Sequence, residues 1–135
     1  METGTSDDGS SKVSLPDHRL GYLAILMALV TAAIHLILSP VAIEMNQMMG
    51  VLFALNGLGF LFGIGVYLTV FWRRSFYLVG AAYALTTILA LFAFQGWGVE
   101  AFYMEGNLNP MAVVSKAVEA VLVVCCVLLY RFDDI

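Results

Sequence analysis

Residues 49–72 read MGVLFALNGLGFLFGIGVYLTVFW, a block without a single charged side chain. A hydrocarbon core about 30 Å thick is crossed by roughly 20 apolar residues in a helix, and this block is long enough. Three others match it: Gly21 to Leu38, Phe76 to Gln95 and Met111 to Tyr130. A chain of 135 residues that is 61% hydrophobic and 12% charged carries more apolar surface than one small core hides, so lipid is the fitting solvent. Barrel strands run about 10 residues and alternate in polarity, which these blocks do not do. Backbone groups in lipid must bond within their own segment, which makes such blocks helices.

The expected fold is therefore all-α, an integral membrane four-helix bundle running up-down-up-down. Its helices are expected over about 20–39, 49–72, 76–97 and 110–131, within a transmembrane domain spanning 20–131. Before it, residues 1–19 form a polar tail whose Glu2, Asp7, Asp8, Ser and Gly residues have little to bury, so disorder is expected there. The tail starts acidic, unlike the basic start of a secretory signal peptide.

The cations orient the bundle. Lys12 and Arg19 precede the first helix, Arg73 and Arg74 follow the second, and Arg131 follows the fourth; the other two loops carry Glu44, Glu100 and Glu105 instead. Cytoplasmic loops are enriched in Lys and Arg, so both termini and the Arg73-Arg74 turn are expected in the cytoplasm, in a plasma membrane. Tyr22, Trp72, Tyr77 and Tyr130 fall at the inner interface, and Trp97 and Tyr103 at the outer. The turn of about three residues after Trp72 predicts that the second and third helices are antiparallel neighbours. A short surface helix is expected within Val99 to Asn109, before Pro110 opens the fourth span.

Small residues let helices approach in lipid. Gly59 and Gly63 form a GxxxG pair on the second helix, the expected packing positions, whether inside the bundle or against a second chain. On the first helix, Ala24, Ala28, Thr31, Ala32, His35 and Ser39 share a small, partly polar side expected to face protein, with Leu23, Ile34, Leu36 and Ile37 elsewhere.

Ionisable groups inside a span are costly unless paired or watered, and they mark functional candidates. His35, Lys116 and Glu119 qualify, with Asn56 beside them. At 1.5 Å rise per residue they lie about 5 Å (His35), 8 Å (Lys116), 13 Å (Glu119) and 10 Å (Asn56) below the outer helix ends. All four thus share the outer half, as a candidate polar pocket to which Thr86, Thr87 and Gln95 can add. Lys116 and Glu119, three residues apart, share a helix face. A bland reading competes: Lys116 snorkels outward, pairs with Glu119, and His35 bonds a carbonyl.

Other chemistries find little support. Two-imidazole haem ligation would need His18, which lies about 25 Å from His35 along the helix. Adjacent Cys125 and Cys126 fit neither a CxxC motif nor a zinc site, and serve as small buried hydrophobes. No GxSxG is present, and with a net charge of −4 and no basic cluster beyond Arg73-Arg74 nucleic acid is not an expected partner. No metal or cofactor is expected.

The segments AAIHLILSP, LFALNGLGFLFGI and NPMAVVSKAVEAVLVV together resemble a group of uncharacterised small four-helix membrane proteins of halophilic archaea, over about Leu20 to Arg131. That resemblance implies a four-span fold and an archaeal plasma membrane, and carries no activity; the general form is also similar to DoxX-like proteins, without a matching motif. The expected function is a non-enzymatic membrane protein acting through helix association, as a homo-oligomer or an accessory subunit of a membrane complex. The alternative is small-molecule or proton binding or transport through the outer-half pocket, with quinone or haem redox chemistry a weaker third.

Overall fold

A computed structural model describes residues 12–104 and 106–132. Four helices form: α1 over Arg19–Met45, α2 over Gln47–Tyr67, α3 over Phe76–Gln95 and α4 over Pro110–Phe132. All four are long and apolar enough to cross a membrane. The first eleven residues of the expected tail lie outside the described residues.

α1 packs against α2 and α4, and α4 against α3. α1 and α2 run antiparallel, as do α3 and α4: Gly21 meets Tyr67 while Ile43 meets Gly50, and Gly80 lies near Cys126 while Thr87 meets Lys116. The core is a column of small residues on α1 and α3, Ala24, Ala28, Ala32, Ala81 and Ala84, closed by Leu122, Cys125, Cys126 and Leu129 of α4. All six residues expected on the protein-facing side of α1 are buried, and Ile34, expected on another side, is buried with them.

Two local features depart from the sequence-based expectation. α1 continues through Pro40 to Met45 instead of stopping at Ser39. Proline removes the bond to the carbonyl four residues earlier, but α2 holds the residues beyond it. Ser39 Oγ donates to Gly50 O at 2.8 Å, and Asn46 N to Ala42 O at 2.8 Å. Gly50 permits this approach, because a Cβ there would lie 2.6 Å from the Ile43 Cα. A single residue, Asn46, then joins the helices; its side chain caps α2 by accepting from Met48 N at 2.9 Å.

The second departure is at the far end of α2, which stops at Tyr67 rather than Trp72. There the chain before α1 supplies the partners. Ser14 N donates to Leu68 O at 2.7 Å and Val70 N to Lys12 O at 2.9 Å, around a Val13–Thr69 bridge. The described end of the polar tail is thus a strap across the α2–α3 connection. That connection is longer than the expected three-residue turn, and α2 and α3, expected as direct neighbours, do not pack backbone to backbone. They meet through side chains: Tyr83 OH reaches Asn56 O at 2.9 Å, and Tyr67 OH lies 3.0 Å from Tyr77 OH.

The segment expected to hold a short surface helix does hold one, the 3-10 helix Val99–Phe102, followed by two-residue strands β1 (Tyr103–Met104) and β2 (Asn107–Leu108). The strands pair antiparallel, Tyr103 opposite Leu108. Gly106 sits in their turn at φ +81°, a conformation glycine adopts without steric cost.

Candidate functional site: a polar network at one end of a cavity

Thr31 lies one helical turn before His35 on the small side of α1, so its hydroxyl and the imidazole point into the same space. From α4, Glu119 reaches that space and is fully buried, as is Thr31. Thr31 Oγ1 donates to Glu119 Oε2 at 2.5 Å. His35 Nδ1 lies 2.8 Å from Thr31 O and 3.9 Å from Glu119 Oε2. The carbonyl only accepts, so the neutral ring carries its hydrogen on Nδ1. Phe53 and Phe60 hold the ring, with centroids 5.2 Å and 6.4 Å away.

Lys116 covers the other carboxylate oxygen, its Nζ 2.8 Å from Glu119 Oε1, and donates to Thr87 O at 3.4 Å. Thr87 Oγ1 in turn donates to Asn56 Oδ1 at 3.1 Å. The network runs from His35 through Thr31, Glu119, Lys116 and Thr87 to Asn56, and joins all four helices. Of the residues singled out in the sequence, His35 and Lys116 each meet Glu119; Asn56 joins through Thr87. Both glutamate oxygens are occupied and its charge is balanced by Lys116, the arrangement a buried carboxylate requires.

Above this network lies a cavity of about 650 Å³ bordered by all four helices and by Asn46, Ala101 and Asn109 of the connections. His35, Asn56, Thr87 and Lys116 form its polar end, and Leu38, Met45, Leu52, Leu91 and Phe94 much of its apolar wall. Glu119 does not border it. The volume falls within the range of small-molecule sites, roughly 300–1,000 Å³.

Residues 6–130 match the Family of unknown function (DUF7475). The chain belongs to that family. No curated protein and no solved structure matches it. In this DUF7475 member, sequence reasoning had no means of singling out Tyr83 or of giving Thr31 its role on Glu119. Thr31 carried one signal, its position four residues before a histidine. Tyr83 carried none beyond a hydroxyl inside a span.

The two glycines singled out for packing behave differently. Gly59 accommodates the Tyr83 hydroxyl, whereas a Cβ at Gly63 would meet no other part of the molecule within 4 Å. The close approach of α1 to α2 occurs at Gly57 instead, where a Cβ would fall 2.7 Å from Leu36 Cγ and 3.1 Å from Ala32 O. Among the described residues, no group of three or more His, Cys, Asp or Glu side chains comes together to hold a metal.

Proposed function

We propose that the protein is a multi-pass plasma-membrane protein with both termini in the cytoplasm, and that the outer half of its bundle binds a small, largely apolar molecule. The cavity carries this reading, because apolar walls ending in a few convergent polar groups are the usual form of a small-molecule site. It favours the pocket over helix association as the primary role. The orientation rests on Lys12, Arg19, Arg73, Arg74 and Arg131, which share the end opposite Asn46. The acidic composition and the resemblance described above support a halophilic archaeal source.

Replacing Ala90, which borders the cavity, by Trp tests the binding role. Organic extracts of the purified wild-type protein are expected to contain an apolar molecule by mass spectrometry that Ala90→Trp lacks. Equal content in both, with both folded, would sink the proposal.

A second role has one specific observation behind it. Gly63 and Gly65 border open space, which leaves α2 able to receive another helix closely, in a homo-oligomer or a larger complex. Cross-linking and native mass measurements are expected to show an assembly that Gly63→Leu weakens; a strict monomer would exclude it.

A further inference from the structure

The chemistry of the ligand's head group follows from three features of the cavity's polar end, given the binding role proposed above. The first is charge. Lys116 Nζ and Glu119 Oε1 are 2.8 Å apart and Glu119 is fully buried, so the ammonium and carboxylate of the site neutralise each other. A charged head group would enter low-dielectric space with no counter-charge left for it, which is heavily penalised.

The second is an acceptor. His35 makes its hydrogen bonds through Nδ1, and a neutral imidazole so arranged presents the lone pair of Nε2. The third is a donor. An ammonium has three N–H groups; Glu119 takes one and Thr87 O a second, leaving one for the cavity that both His35 and Lys116 border. A carbonyl or ether only accepts and a hydrocarbon does neither. A hydroxyl does both.

We propose that the cavity binds a neutral apolar molecule through one hydroxyl group, which donates to His35 Nε2 and accepts from Lys116 Nζ. The ligand class is therefore phenols and long-chain alcohols rather than fatty carboxylates or amines.

The test is a matched series titrated into the full chain in lipid nanodiscs, with binding to empty nanodiscs subtracted: 1-naphthol, 1-methoxynaphthalene, naphthalene, 1-naphthoate and 1-naphthylmethylammonium. Naphthol is expected to bind about tenfold more tightly than naphthalene or the methyl ether, the latter having lost only the donor. His35→Leu is expected to abolish the roughly tenfold preference for naphthol over naphthalene. Tighter binding of naphthoate or the ammonium, or equal binding of naphthol and its ether, overturns the hydroxyl assignment and leaves the cavity a binding site. The ether comparison uses wild-type protein, so it stands even where a variant does not fold. If no probe binds above empty nanodiscs, or Ala90→Trp binds all of them as wild type does, the binding role itself fails.

Discussion

At the Arg74 end of the bundle, Leu129, Cys125 and Tyr77 are almost wholly buried, and Tyr67, Trp72 and Tyr77 meet edge to face. Arg74 stacks on Tyr130, 4.6 Å from its ring centroid, and donates through Nε to Tyr130 O at 2.6 Å. At the Asn46 end the same helices separate around a cavity and hold a charged pair. The difference comes from side-chain size and polarity. Alanines and cysteines let α1, α3 and α4 close on one another, whereas His35, Asn56, Thr87 and Lys116 are tied into one network through Thr31 and Glu119 and leave space beside them. All four helices are apolar enough to cross a membrane, and packing divides the molecule into a closed end and an open one.

Breaking the charged pair tests the open end most severely. Lys116→Met leaves Glu119 buried without its counter-charge and is expected to cost about 3–5 kcal/mol, read as thermal or denaturant unfolding in detergent. The Lys116→Met, Glu119→Leu double variant is expected to recover most of that loss; an additive double variant would mean the two charges do not depend on each other. At the closed end, Leu129→Ala is expected to cost about 2–5 kcal/mol through the cavity it leaves, and a loss below about 1 kcal/mol would show that this core is looser than its burial implies.

Two alanines of α3 compare the ends within one helix. Ala84 is fully buried and Ala90 borders the cavity. Ala84→Leu is expected to destabilise by about 1–3 kcal/mol through overpacking, while Ala90→Leu leaves the melting temperature near that of wild type. Equal effects would erase the distinction between a closed and an open end. The smallest change is at the α1–α2 corner, where Asn46→Ala removes the α2 cap and is expected to cost about 1 kcal/mol, with helix content by circular dichroism unchanged outside that corner.

The charged pair was legible because Lys116 and Glu119 are three residues apart on one helix, a spacing that brings side chains together whatever else the chain does. Placing His35 and Asn56 at similar depth needed only the rise per residue. The GxxxG pair was less informative. Gly59 and Gly63 are related by a local repeat, but which glycine meets another helix depends on how α2 is rotated toward α1, and that rotation brings Gly57 to Leu36. Likewise, Pro40 is a helix-stopping signal in isolation, and nothing near it in sequence announces that Gly50 and Ser39 hold the chain beyond it.

By itself the sequence determined four apolar helices, their number and approximate centres, and the clustering of ionisable groups in one half. The helices follow from residues within about 20 positions of one another, because hydropathy and helical spacing are local properties, and the clustering follows from the depth of each group in spans of alternating direction. Only the tertiary structure decided that α1 runs on past Pro40, that Lys12, Val13 and Ser14 strap the end of α2, and that His35, Thr31, Glu119, Lys116, Thr87 and Asn56 join in one network beneath a cavity. Those outcomes depend on contacts between residues far apart in the chain, whose energies are set by shape and hydrogen-bond partners brought together only when the helices dock.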